Sequence, residues 1–432
     1  MQNSNNTNQN KGSWFWRIVL VIAIITFIFW VTYPYSWNLL MADITGFQGK
    51  TLWDWMELAL IPFVLYLVGN YFSKSQREQE RRFEQERQSQ ERKNQEDRAR
   101  ESTLQSYLDT MTKLLSDKDL RNSAPDSELR SIARARTLTS LRGLDGVRKG
   151  MLLTFLYEAG LINCKDATII DLKNADLRNA YLQGIYLGGA NLEKANLNKA
   201  EMNGAGLIGA NLKRADLSKA NLFDADLRET DLEFAILSEA DLRHANIDTF
   251  DPYTRKRYKS ARLKGAKLEK AKLYDAKLNG ADLEEANLSE ADLRGAILSS
   301  ANLFNADLKG ANLIGASLNN TILHGVKISD DTQLDHKWRL VWEIVNHGAN
   351  GRDLNGVDLS YANLNLVDLN GAILNGVNLE RANLRGVDMT SVDLSNVNLS
   401  NATYDQNTKW PAGFSPEEAG MQLADDNPNQ NN

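Results

Sequence analysis

Along most of the second half of the chain an apolar residue recurs at every fifth position. Segments such as ADLRN, ANLEK, ANLNK, ADLSK, ANLFD and ADLRE, all between residues 175 and 229, show the pattern. With the leucine taken as the centre of a module, centres run from Leu172 to Ile247, from Leu263 to Ile328 and from Leu354 to Tyr404. That is far more than the three or so copies that establish an array. A period of five fits neither a helix at 3.6 nor a strand at 2. It requires a chain that turns a corner in every module and returns each centre to the inside. The residue two before the centre is nearly always small, as at Ala175, Ala180, Ala190, Ala195 and Ala200. Small beside large, repeated, is what a narrow packed interior demands. The residue between them is usually Asp or Asn, which suits corners and backbone capping. The two residues after the centre are mostly polar or Gly, as an outer surface should be.

The register breaks twice, between Ile247 and Leu263 and between Ile328 and Leu354. Each break predicts a loop leaving the coil. The three blocks end alike, in Phe250-Asp-Pro-Tyr-Thr254, Ile328-Ser-Asp-Asp-Thr332 and Tyr404-Asp-Gln-Asn-Thr408, so a large apolar residue with Thr four later reads as a terminator. The second loop carries Trp338, Val341, Trp342 and Val345 at helical spacing, which predicts a short helix over Lys337–Asn346 stopped near Gly348. The domain plan that follows has repeats at 167–247, 263–328 and 353–404, loops at 248–262 and 329–352, and a cap with a disordered tail at 405–432.

Upstream the pattern changes. Residues 1–13 are polar and read as a disordered tail. From Ile18 to Ala42 there is no charge, with Trp14, Trp16, Trp30, Tyr33, Tyr35 and Trp37 at the ends. This predicts a membrane helix rather than a signal peptide, whose apolar region is shorter and ends in a small-residue cleavage site. A second apolar run, Leu58–Phe72, is short for a span unless it extends back to Leu52 past Asp54 and Glu57. Two transmembrane helices are therefore expected within 14–73. Lys11 and Arg17 before them, and Lys74, Arg77, Arg81, Arg82 and Arg87 after them, predict both termini on the cytoplasmic side. Residues 74–100 are helix formers almost without apolar positions, which suits a solvated helical linker. Residues 101–162 predict a small helical capping module of three helices. The first carries Leu104, Tyr107, Leu108, Met111, Leu114 and Leu115. The second, capped by Asp126 or Ser127, carries Leu129, Ile132, Leu138 and Leu141. The third begins at Asp145 with Val147, Met151, Leu152, Phe155 and Leu156 and ends at Gly160.

The A-(D/N)-L-x-x modules resemble the pentapeptide-repeat family over about residues 167–404. The resemblance implies a mainly β fold, a right-handed quadrilateral β-helix, here preceded by a transmembrane hairpin and the helical module. Four modules per coil would stack Leu172, Leu192, Leu212 and Leu232 on one face and Leu177, Leu197, Leu217 and Leu237 on the next. At about 4.8 Å per coil, ten coils give a rod of roughly 50 Å. The order of hairpin, charged linker, helices ending in FLYEAGLI and repeats is similar to membrane-bound members from oxygenic photosynthetic bacteria, which implies the plasma or thylakoid membrane of a bacterium.

Composition narrows the function. The 432 residues carry a net charge of -6, which argues against a wholesale polyanion mimic and against a polycation. Cys164 stands alone, so no disulfide forms within the chain. His244, His324, His336 and His347 show no metal-ligand spacing. No phosphate-binding, nucleophile-elbow or zinc-protease motif is present. No catalytic, cofactor-binding or metal-binding residue is therefore expected, and no cofactor or small-molecule substrate. The expected role is a non-enzymatic scaffold on the cytoplasmic membrane face, its partners membrane lipid and an unknown protein, with nucleic acid not expected among them. The alternative is a DNA-mimicking binder of gyrase-like proteins, which the family resemblance allows. A basic cluster works against mimicry: Arg255, Lys256, Arg257, Lys259, Arg262, Lys264, Lys267, Lys270 and Lys272. Its cations offer themselves to anionic lipid or acidic partners, or form a solvated face.

Overall fold

A computed structural model describes Thr26 and residues 52–162, 168–249 and 255–424, with backbone alone at 52–61. The chain divides into two compact units, residues 1–95 and 96–432. The first contains the larger part of helix α1, Leu52–Ser116. The expected membrane anchor is corrected here. Among the described residues no helix is long and apolar enough to cross a membrane. In α1 the apolar stretch Leu58–Phe72 is hemmed in by Asp54 and Glu57 on one side and Lys74 on the other. That finding contradicts the integral-membrane localisation with both ends cytoplasmic and removes the second expected span, and it leaves a membrane-lipid partner without support. The first expected span, residues 18–42, lies outside the described residues apart from Thr26.

The second unit opens with the end of α1, which buries Leu104, Tyr107 and Met111. Helices α2 (Glu128–Gly143) and α3 (Gly146–Glu158) follow a single 3-10 turn at Leu120–Asn122. Ser127 rather than Asp126 caps α2, accepting the Arg130 N–H at 3.3 Å, and Asp145 caps α3 through the Arg148 N–H at 3.0 Å. The Arg148 side chain joins Glu101 and Asp97, each at 2.9 Å, and so ties α1 to α3. Val147 and Met151, expected inside, face outward, 49% and 56% exposed. The inward face of α3 holds Lys149, Gly150 and Leu153 instead, because α3 lies directly on the first coil. A side chain at Gly146 would strike the Asn179 carbonyl oxygen, and one at Gly150 the Tyr181 carbonyl oxygen.

From residue 171 the chain forms a four-sided β-helix of twenty-residue coils. Parallel bridges join Asp176 to Asn196, Tyr181 to Glu201, Tyr186 to Gly206 and Asn191 to Asn211, and so on up the stack. The centre N–H reaches the next coil, as from Leu212 to the Asp231 carbonyl at 2.7 Å. The Asp or Asn N–H reaches back, as from Asp231 to the Ala210 carbonyl at 2.9 Å. Most backbone donors that face a neighbouring coil thus find an acceptor there, as buried amides require. Ala210 and Leu212 are both fully buried. Within each module the Asp or Asn carboxyl or amide oxygen accepts the N–H two residues on, as from Lys213 to Asn211 at 3.1 Å. A hydrogen bond from Ala215 N to Leu212 O closes the corner, and its third residue, Arg214, has φ +58.

The breaks in register now have structures. Asp231 pairs with Arg262, eleven residues beyond the usual step, so an excursion leaves the fourth side of that coil and returns. Thr332 and Thr408 form one device. The Thr408 hydroxyl donates to the Leu384 carbonyl at 3.0 Å and accepts N–H groups from Asp405 and Gly386 at 3.1 and 3.2 Å. Thr332 does the same with Leu308, Ser329 and Gly310. The third copy, ending at Thr254, lies outside the described residues. Helix α4, His336–His347, then seals the second block by burying Trp338, Val341 and Ile344, and Gly348 ends it at φ +78. Trp342 Nε1–H donates to the Val326 carbonyl at 2.8 Å.

Both ends of the rod are covered. At the start the Tyr181 N–H donates to the Gly146 carbonyl at 2.9 Å, while Lys149 and Arg134 donate to the carbonyls of Arg178 and Lys173 at 3.1 and 2.9 Å. At the finish β1 (Thr403–Tyr404) pairs in parallel with β2 (Gln422–Leu423), and Trp410 packs against Tyr404 and Phe414.

Candidate functional site

Twenty-residue coils convert sequence into columns: the same module position recurs on the same side, one coil higher. On the first side the residue after the centre alternates in charge. Lys173 pairs with Glu193 at 2.7 Å, Lys213 with Glu233, and Lys264 with Glu284 at 2.8 Å. That column spends its charges within the rod and leaves little for a partner.

The third side differs. Its column reads Phe223, Arg243, Tyr274, Arg294, Ile314, one residue from each of five successive coils, following the bridged residues Asn221, Asp241, Lys272, Asp292 and Asn312. Phe223, Tyr274 and Ile314 are among the exposed large apolar side chains. Asp and Arg two residues apart on a corner form a fork. Arg243 meets the Asp241 carboxylate through Nε and Nη2 at 2.8 and 2.7 Å, and Arg294 meets Asp292 at the same two distances. Held flat, each guanidinium lies over the aromatic ring of the coil before it, 5.6 Å from the Phe223 centroid and 5.6 Å from that of Tyr274. His244 meets both rings edge-on, at 5.4 and 6.3 Å. The result is a ridge of stacked planar groups with fixed orientations.

Electrostatics agree with the forks. The Arg294 guanidinium holds the Asp292 carboxyl below its ordinary value. At Asp241 burial pushes upward, but the Arg243 side chain and backbone amide outweigh it and the net direction is down. Each arginine is thus half neutralised yet keeps outward N–H groups. Nothing on the ridge pairs a nucleophile with a base. It offers contact area, cation–π stacking and directed donors at little conformational cost.

No site residue was expected from the sequence, and the ridge itself was missed. Its signal was present in two ADLR modules, at 240–243 and 291–294, and two aromatic ones, at 223 and 274. The eleven-residue excursion between Arg243 and Tyr274 hid their alignment. The histidines are dispersed: His244 on the ridge, His336 and His347 at the ends of α4, and His324 half-buried, its imidazole held below the ordinary value by burial against an opposing Asn365 backbone hydrogen bond. Among the described residues no group of three or more His, Cys, Asp or Glu could hold a metal ion. Cys164 lies outside the described residues. A groove of about 430 Å³ lies between α3 and the first coil, lined by Val147, Met151, Phe155 and Tyr181 among others.

The family model for pentapeptide repeats matches eight copies, at residues 170–207, 261–299, 301–330, 353–390 and 362–401. Those stretches include Tyr274 and Arg294 of the ridge, whereas Phe223 and Arg243 lie between the first two. The repeat region belongs to the pentapeptide-repeat family. Among solved pentapeptide-repeat structures, HetL from the cyanobacterium Nostoc sp. strain PCC 7120, involved in heterocyst differentiation regulation, is 29% identical, over 58% of this chain and 95% of that one, with a TM-score of 0.30. Rfr23 from the cyanobacterium Cyanothece 51142 is 29% identical over 30% and 91%, with a TM-score of 0.23. A pentapeptide-repeat protein of the Arabidopsis thaliana thylakoid lumen is 33% identical over 29% and 72%, with a TM-score of 0.13. No curated protein matches the chain.

Proposed function

We propose that the pentapeptide-repeat rod is a non-enzymatic interaction module that binds a protein partner along the ridge Phe223–Arg243–Tyr274–Arg294. The observation that carries this reading is the ridge's composition and rigidity. Tyr and Arg are the side chains that concentrate binding energy at protein interfaces. Here they are pre-ordered by Asp forks, so little rotamer freedom remains to be lost on binding. The near-neutral balance of the ridge favours a protein surface over a polyanion. DNA mimicry gains no support, since the coil at 261–280 is studded with Arg262, Lys267, Lys272 and Lys277 where other coils mostly carry Asp, Asn or an uncharged residue.

The test is affinity capture from lysate of the source cells, comparing the native chain with Phe223→Ala/Tyr274→Ala. A partner retained by the native chain and lost from the variant, at equal folding, supports the reading. A partner captured equally by both contradicts it.

A further inference from the structure

Two parts of the basic cluster of the sequence have different employment in the structure. Arg262, Lys264 and Lys270 are used inside the rod. Arg262 bonds Asp231 and lies 3.4 Å from Glu233, Lys264 lies 2.8 Å from Glu284, and Lys270 lies 3.5 Å from Glu290. These ion pairs join the coil at 261–280 to the coils on either side, in both of which acidic residues outnumber basic ones.

The other part sits on the excursion, where residues 255–259 read Arg-Lys-Arg-Tyr-Lys. Arg255, Lys256, Arg257 and Lys259 are all exposed. The segment is nonetheless fixed to the rod. The Tyr258 N–H donates to the Thr249 carbonyl at 2.8 Å, and the Lys259 N–H to Glu229 Oε1 at 3.1 Å. The Tyr258 ring lies 4.2 Å from the Arg228 guanidinium carbon and 4.5 Å from Lys256 Nζ. Glu229 is an acid beside the segment, and one of its carboxylate oxygens accepts that backbone N–H.

We infer that residues 255–259 form a docking site for a short acidic segment of a partner protein. Four cations in five residues, held by a ring and two backbone bonds, present a compact positive surface. Its limits select the ligand. The coils at 231–249 and 281–300 are acidic, so a long polyanion such as nucleic acid would be carried onto like charge. A few consecutive Asp or Glu side chains meet only the cations. This site stands apart from the ridge, because the excursion leaves the fourth side of the coil rather than the third.

The test is fluorescence anisotropy on the full chain with a labelled oligoglutamate peptide, and with a labelled single-stranded oligonucleotide as the competing class. Saturable peptide binding is expected, weakening as ionic strength rises. Arg255→Ala/Arg257→Ala/Lys259→Ala should lower affinity about tenfold or more, the sum of several exposed charge contacts. Tyr258→Ala should lower it severalfold with every charge retained, through loss of the fixed geometry. Lys199→Ala/Lys267→Ala/Lys272→Ala, which removes equal charge from other parts of the rod, should keep it. The inference is overturned by absent peptide binding, by equal losses in the two triple variants, or by tighter binding of the oligonucleotide.

Discussion

Nearly every module asks one residue, the second after the centre, to take a left-handed backbone. Gly204 does so at φ +66 and Lys199 at φ +57. Only glycine does this without a steric penalty, roughly 1 kcal/mol or more for other residues. Gly204→Ala should therefore cost about 1 kcal/mol although its Cβ would meet nothing within 4 Å, and Lys199→Gly should gain a little less. Paired thermal melts of the two variants check both signs. Leu212→Asp is the severe case. It places a charge in a filled interior and should cost several kcal/mol or more, read as a large drop in melting temperature. Positions such as Leu212 and Ala210 were legible because burial alone fixes them. The glycines were not: their polar-or-Gly pattern suggested only an outer surface, whereas the backbone angle is the reason.

Among the elements, the terminator threonine gives the sharpest forecast. Thr408 is buried and its hydroxyl makes three bonds to backbone groups of the preceding coil and its own corner. Thr408→Val keeps the shape and strands those groups, so a loss of roughly 1–3 kcal/mol is expected from denaturant titration. Thr408→Ser should recover most of it. The sequence showed the recurrence of Thr but not its bonds, two of which run to residues more than twenty positions away. Helix α3 repeats the lesson. Its period was legible, but Val147, Met151 and Leu152 all fit a helical face, and only contact with the first coil decides which face turns inward. Gly146 and Gly150 were the available sign, two small residues one helical turn apart where a backbone must approach. The apolar run in α1 misled for a different reason: apolar character was read as a span although the uninterrupted stretch falls short of bilayer thickness.

At the scale of the repeat unit, ion pairs between coils and corner forks make stability sensitive to acid. Asp176 shows it best: its fork to Arg178 carries the carboxyl from 3.8 down to about 2, with burial opposing. A carboxyl whose folded value lies below its unfolded value stabilises above the unfolded value and loses that contribution as pH falls through the folded one. Melting temperature should therefore hold from neutrality to about pH 4 and decline between about pH 4 and pH 2. Removing residues 405–432 should expose the Thr403–Tyr404 edge and give aggregating protein by light scattering, since an unpaired edge recruits other chains.

The most direct test of the ridge as a protein-binding surface is site-specific photocrosslinking in the source cells. A photoreactive residue is placed at Tyr274 on the ridge, or at Asn198 on the second side as a control. The account predicts a discrete crosslinked protein from position 274, abolished by Arg243→Ala/Phe223→Ala, and none from position 198. Equal products from both positions, or none from position 274, would contradict it.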